Sequence, residues 1–215
     1  MAYKSEIKEL IKHLSYFGFG RNICLDCFLP DIGLLPDPVW KMNTLNFGWF
    51  KGDTVNLGVG QGYMSATPLQ LAYYSAFIAN KGTLNRFSFV QDDRTIPKDV
   101  FYSSNIDDSD WEKIHKSMIG VIEKPKGTAG RLRELKDYII AAKSGTVELV
   151  STDTKEDYKI IREVEGKRDH AIIVAFGPMP NPKYAVSVVI ENGESGGSVA
   201  GPVAIEVLNS LIDDE

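Results

Sequence analysis

Lys143-Ser144-Gly145-Thr146 follows the apolar run 138–142 and precedes the run 147–150, so a cation, two hydroxyls and a glycine fall on one predicted strand. A strand alternates its faces: Lys143 and Gly145 point one way, Ser144 and Thr146 the other. The glycine lets a second backbone come close. An extended peptide can pair along such an edge. Its terminal carboxylate would meet the ammonium and the hydroxyls, while main-chain amides supply hydrogen bonds and an oxyanion donor. Four letters alone are a weak pattern, because a lysine beside a glycine is usually a solvated turn; the order of the surrounding segments gives them weight.

Upstream, Gly52-Asp53-Thr54 leads into Gly58-Val59-Gly60-Gln61-Gly62-Tyr63-Met64-Ser65-Ala66-Thr67-Pro68-Leu69-Gln70. Thr67 and Gln70 make a capping box with proline at the first helical position, which predicts a helix from about Pro68 to Lys81, stopped by Gly82. Leu69, Leu71, Ala72, Tyr73, Ala76, Phe77 and Ile78 leave it apolar nearly all round, so it is predicted to be buried. A glycine-rich loop entering a helix can hold phosphate. This one lacks the lysine of a P-loop and the glycine spacing of a dinucleotide fingerprint, so Gln61 and Tyr63 read as loop-shaping residues that border a cleft.

Elsewhere, Ile7, Leu10, Ile11, Leu14 and Phe17 follow helical spacing and Gly18 ends it. Residues 21–50, rich in Pro, Gly, Asp and aromatics, are expected to be irregular. Ser109 and Glu112 repeat the capping box ahead of Trp111, Ile114, Met118, Val121 and Ile122, a helix ending before Pro125. Three strand-like runs follow, 138–150, 170–176 and 184–191, separated by a charged connection and by Gly177-Pro178-Met179-Pro180-Asn181-Pro182. Short connections favour antiparallel pairing. Residues 193–201 read as a flexible glycine-serine turn, and Val203, Val207, Leu208, Leu211 and Ile212 share one face of a final helix over 202–212. The expected class is α/β of the α+β type, an antiparallel sheet flanked by helices.

Composition bounds the function. The 215 residues are 43% hydrophobic and 25% charged, which suits one globular domain or most of one. With a formal net charge of −5 and no basic run, the chain offers no patch to track nucleic-acid phosphates. No run is long enough to span a bilayer, and no charged-then-apolar leader is present. Cys24 and Cys27 form a C-x-x-C, read first as two partly buried thiols and second as a labile disulfide. His13, His115 and His170 are scattered and no second cysteine pair completes a site, so neither a metal nor a cofactor is expected. His170, beside Asp169, reads as a structural, hydrogen-bonded histidine.

The Gly-Asp-Thr, Gly-Val-Gly-Gln-Gly-Tyr and Thr-Pro-Leu-Gln stretches resemble those of class B penicillin-binding proteins, and Lys-Ser-Gly is a close variant of the Lys-Thr-Gly shared by those proteins and serine β-lactamases. Further matches follow in the family's order: Gly127-Thr128-Ala129, then His170-Ala171 leading into 172–178, then Glu191-Asn192-Gly193. The resemblance covers nearly the whole chain, and the Gly-Gln-Gly-Tyr form looks like the elongation type, penicillin-binding protein 2. Glu148 departs from the glutamine usual at that place. The resemblance implies the penicillin-binding protein transpeptidase / serine β-lactamase-like fold. It also implies a peptidoglycan D,D-transpeptidase that attacks the D-Ala-D-Ala end of a stem peptide, forms an acyl-serine intermediate and binds β-lactams. Lys143 would then move protons and hold the donor's anionic end, Ser144 and Thr146 would bind carboxylate, Gly145 would permit close approach, and the Thr146 amide would form half of an oxyanion hole.

The family's nucleophile lies in a Ser-x-x-Lys motif, followed by Ser-x-Asn, both upstream of the Gly-Gln-Gly-Tyr loop. Ser5-Glu6-Ile7-Lys8 fits the first by letter, but it lies too near Lys143 and no Ser-x-Asn follows it before Gln61. Ser103-Ser104-Asn105 fits the second in the wrong order. Residues 1–215 are therefore expected to be an incomplete, C-terminal part of one transpeptidase domain, with the nucleophilic serine outside the chain and the chain itself inactive. Implied partners are the stem peptide, β-lactams and other cell-wall elongation proteins, at the periplasmic face of the bacterial inner membrane. Self-association through an open apolar face is a further expectation. A serine β-lactamase or penicillin sensor, and a non-catalytic interaction module of the same fold, remain as alternatives.

Overall fold

The computed structural model describes residues 7–26, 29, 31–84, 86–90, 102–103, 105–149, 155–164 and 166–214. The chain divides into two compact units, residues 1–74 with 85–102 and residues 75–84 with 103–215.

The first unit is built of helices and tied loops. α1 (Ile7–Tyr16) follows the apolar spacing of the sequence. It ends at Gly18, whose φ of +93 and close neighbours, Ile23 Cγ2 at 2.8 Å from a notional Cβ and Tyr73 Cδ1 at 2.9 Å, admit only glycine. The segment 21–50 is not irregular throughout. It contains α2 (Pro38–Leu45), opened by Asp37, whose carboxylate accepts the Trp40 amide at 2.6 Å, with Pro38 in the first turn. The flanking prolines, glycines and aromatics masked this short helix in the composition. α3 (Lys51–Gly58) comes next, with Asp53 accepting the Phe50 amide at 2.7 Å. Lys41 of α2 reaches the same carboxylate at 2.6 Å, so two neighbouring helices are joined by an ion pair whose lysine side chain is only 4% exposed. Cys24 is buried and disulfide-bonded, which corrects the expectation of a thiol; Cys27 lies outside the described residues.

The capping box predicts α4 (Pro68–Ala79) correctly. The Gln70 amide donates to Thr67 Oγ1 at 3.2 Å and the Thr67 amide to Gln70 Oε1 at 3.0 Å. The helix stops earlier than Lys81, and the chain closes its turn at Gly82, φ +79, where the amide donates to the Phe77 carbonyl at 2.9 Å. Its residues from Leu69 to Ala79 are buried or half-buried, as an all-round apolar helix requires.

The second unit has the short strand β1 (Thr83–Leu84), Ser103 of the short strand β2 (Tyr102–Ser103), and then the helix α5 (Asp108–Glu123). α5 starts earlier than a Ser109 cap would allow, with Asp107 at the N-cap. Its buried face is Trp111, His115, Met118 and Ile122. The His115 Nε2–H donates to the Ile78 carbonyl at 2.8 Å and its ring lies 5.3 Å from that of Phe176. A 3₁₀ turn over Gly130–Leu135 leads to the sheet: β3 (Ala141–Val147), β4 (His170–Gly177) and β5 (Tyr184–Ile190), antiparallel in the order β3-β4-β5. The charged connection between β3 and β4 carries α6 (Lys155–Arg162).

One face of the sheet, Ala142, Ala171, Ile173 and Ala175, packs with Ala204, Ile205 and Leu208 of α7 (Gly201–Asp213). The alanines keep that face shallow enough for a helix to lie on it. Residues 193–201 are not the flexible turn expected. Gly196–Ala200 is a single π-helical turn that runs into α7, with Gly196 and Gly197 buried. A Cβ on Gly196 would lie 2.1 Å from the Ile172 carbonyl oxygen, and one on Gly197 would lie 2.4 Å from that of Thr128. These glycines serve close backbone packing instead of mobility. No helix among the described residues is long and apolar enough to cross a membrane.

Candidate functional site

Register fixes the four predicted site residues. Lys143 pairs with Val174, Ser144 with Ile173, Gly145 with Ile172 and Thr146 with Ala171. β4 is the only strand paired with β3 among the described residues, so β3 is an edge strand of the three-stranded sheet. Ser144 and Thr146 therefore stand on the face that continues the alanine-lined core, and Lys143 and Gly145 on the opposite one.

Their side chains are held by neighbours from three segments. Lys143 is exposed, and its ammonium donates to the Ser144 carbonyl at 2.6 Å. Ser144 and Thr128 hydroxyls share a hydrogen bond at 2.8 Å, which ties the Gly127-Thr128-Ala129 stretch to the strand. The Thr146 hydroxyl donates to the Glu194 carbonyl at 3.4 Å, a long bond that a better acceptor can displace. Gly145 is crowded from one side only. Gly196 comes so near that its notional Cβ would be 2.6 Å from the Gly145 carbonyl oxygen.

Beyond Thr146, the strand end is braced by a polar group that sequence reading missed. Glu194 sits at φ +62, in the left-handed region uncommon outside glycine. The Arg162 Nε and Nη2 donate to its two carboxylate oxygens at 2.7 and 2.6 Å. That hydrogen bonding, together with the Arg162 charge, holds the Glu194 carboxyl below the usual range against the opposing pull of desolvation. Asp169 is buried and accepts the Tyr158 hydroxyl and, at 3.4 Å, the Leu149 amide. The Asp169 hydrogen bond, then burial, then the Asp169 charge push the Tyr158 hydroxyl up to about 12. His170 Nδ1 accepts the Asn192 amide at 3.0 Å, a structural role. Thr128, Glu194 and Arg162 lie 16, 48 and 32 residues from their respective partners Ser144, Thr146 and Glu194. Only the family order of Gly127-Thr128-Ala129 hinted at one of them.

In the first unit, Gly60 (φ +76) and Gly62 (φ +81) bend the loop around Gln61, whose amide donates to the Asn56 carbonyl at 2.9 Å. The Tyr63 ring lies tilted against that of Trp40, with centroids 5.4 Å apart. Glu148 is exposed. Ser5, Glu6 and Ser104 lie outside the described residues.

Chemically, the β3 edge combines an exposed cation, two hydroxyls within bonding distance of replaceable partners, and a strand edge open to main-chain pairing. That set suits an extended peptide ending in a carboxylate. The family model described as the penicillin-binding protein transpeptidase domain matches residues 1–209. The peptidoglycan D,D-transpeptidase MrdA of Escherichia coli K12 is 31% identical over 219 residues, covering 99% of this chain and 34% of that protein. The MrdA of Acinetobacter baumannii is 35% identical over 207 residues, covering 93% and 30% respectively. Among solved structures, Pseudomonas aeruginosa PBP2 in complex with WCK 5153 matches with a TM-score of 0.83 at 38% identity, over 100% of this chain and 46% of that one. The complex of Helicobacter pylori PBP2 with MreC matches with a TM-score of 0.80 at 29% identity, over 99% and 37%. The chain thus spans about a third of the length of these curated relatives.

Proposed function

This chain belongs to the penicillin-binding protein transpeptidase family, in its class B, PBP2-like branch, and we propose that its β3 edge is the donor-binding strand of a peptidoglycan D,D-transpeptidase. The observation that carries this reading is the open β3 edge with Lys143, Ser144, Gly145 and Thr146 in consecutive register. A stem peptide ending in D-Ala-D-Ala pairs with that edge. Its terminal carboxylate replaces the Glu194 carbonyl as acceptor for the Thr146 hydroxyl and receives the Ser144 hydroxyl and the Lys143 ammonium. Gly145, without a side chain, admits the peptide backbone, and the Thr146 amide donates to the oxyanion that forms when the penultimate carbonyl is attacked. A β-lactam enters as an imitation of the same donor.

No residue of the chain is proposed as the attacking serine, since Ser5, the literal Ser-x-x-Lys match, has neither the family's spacing to Lys143 nor a Ser-x-Asn between it and Gln61. Lys143 would relay protons for such a serine and orient the carboxylate. Residues 1–215 are read as one stretch of a single transpeptidase domain. The family reading implies work at the periplasmic face of the inner membrane beside other cell-wall elongation proteins; the related H. pylori PBP2 is found in complex with MreC.

Titrating isotope-labelled chain with an acyl-D-Ala-D-Ala peptide tests the strand. Saturable shifts of the 143–146 amides are expected, absent with the L-Ala-L-Ala isomer and strongly reduced in Lys143→Ala. Equal response to both isomers would defeat the reading. Fluorescent penicillin is expected to leave no covalent label; a stoichiometric adduct on Ser5 would overturn the assignment of the nucleophile.

A further inference from the structure

Within the first unit, a cavity of about 300 Å³ is lined by Trp49, Asp53, Asn56, Leu57, Gln61 and Tyr63, among others. We propose that it binds one uncharged amino-sugar ring of the N-acetylhexosamine class. Its volume sits at the lower end for small-molecule pockets, room for a single small ring.

The charge of the wall selects against ions. Lys41 already fills the cation position: its ammonium is 2.6 Å from Asp53, 4.8 Å from the Phe50 ring centroid and 5.4 Å from that of Tyr63. A second cation would meet that charge at close range, and an anion would face the Asp53 carboxylate. What the wall still offers is hydrogen-bonding capacity beside an ion pair whose two charges offset each other. Asp53 Oδ2 accepts both Lys41 and the Phe50 amide, and among the described residues no hydrogen bond reaches Oδ1 or the Asn56 side-chain amide. These atoms offer a carboxylate acceptor and an amide donor-acceptor pair to hydroxyl and acetamido groups.

The aromatic residues supply the other half of such recognition. The Trp49 indole N–H is spent on Thr54 Oγ1 at 2.9 Å, and the Tyr63 ring packs tilted against that of Trp40, so both rings are held before a ligand arrives. Their flat faces suit the C–H faces of a pyranose. An extended peptide is disfavoured, because the walls come from α3, a glycine turn and the loop residues Pro36 and Trp49, none of them in a named strand. Recognition of a neutral ring follows from these contacts; the acetamido identity rests on the peptidoglycan reading above.

Two titrations of the isotope-labelled chain separate the claims. N,N′-diacetylchitobiose is expected to shift the Trp49 indole signal and the amides of 56–63 saturably, leaving 143–146 unmoved, with a weaker response to cellobiose. Asn56→Ala, at an exposed position, should keep the thermal midpoint and weaken chitobiose about tenfold. No saturable shift, unchanged affinity in Asn56→Ala, or the acyl-D-Ala-D-Ala peptide moving the 56–63 signals in place of the sugar would overturn the sugar site. A pocket that responds while 143–146 stay silent to the peptide sinks the strand reading alone.

Discussion

At Gly196 a methyl group would sit 2.1 Å from the Ile172 carbonyl oxygen and 2.6 Å from that of Gly145, atoms that cannot retreat without disturbing the sheet. Gly196→Ala is expected to destabilise the protein by about 1–3 kcal/mol, read as a lower denaturant midpoint with unchanged slope; an unaltered midpoint would mean the π turn can move aside. Gly145 behaves differently. A Cβ there meets Ile172 Cβ at 3.6 Å, an ordinary contact, so Gly145→Ala should keep its midpoint while losing peptide binding in the same titration. The glycine was legible as a place of close approach, but the sequence pointed only to an incoming peptide. The fold already uses that backbone for Gly196, which is distant in the chain and carries no pattern that announces it.

α4 is the element best read in advance, because a capping box and an apolar surface are local properties. Its Gln70 also does something local reasoning misses. The side chain is fully buried, and Nε2 donates to the Gly18 carbonyl at 2.9 Å and the Ile32 carbonyl at 2.7 Å. Gln70→Ala strands two carbonyls and a cap, with an expected loss of about 3 kcal/mol. Gln70→Glu should cost more, since a carboxylate would face both carbonyls; calorimetry on the two variants checks the order. α2 and α3 were hidden among prolines, glycines and aromatics, and their junction depends on Lys41 meeting Asp53. Burial disfavours the Asp53 charge, but the Lys41 hydrogen bond, the Phe50 amide and the Lys41 charge together hold its pKa below the usual carboxylate value. Asp53→Ala leaves a buried, unpaired ammonium and should cost about 3–5 kcal/mol, whereas Lys41→Met paired with Asp53→Leu should recover much of that loss.

For the whole molecule, the ionisations set a pH window. Asp53 and Glu194 have lowered folded pKa values, so their stabilisation is complete above the ordinary carboxylate range and drains away as pH falls through the lower folded values. Tyr73, by burial, and Tyr158, by its bond to Asp169, are pushed up to about 12. The unfolded chain ionises near 10, so stability should be full below that and decline as pH rises toward 12. Thermal melts across pH 3 to 12 should fall at both ends, and Tyr158→Phe should flatten the alkaline limb; a limb unchanged in that variant would remove Tyr158 from the account. Helix periodicity, the capping box, strand alternation and the order of the motifs were set by spacing along the chain, and those local features were enough to recognise an antiparallel sheet under a terminal helix and the family it belongs to. Which groups would steady the β3 edge was decided only by folding. Thr128, Glu194 and Gly196 reach β3, and Arg162 reaches Glu194, through contacts between segments far apart in sequence, and hydrogen bonds and steric fit at such range follow from packing, which no local pattern encodes.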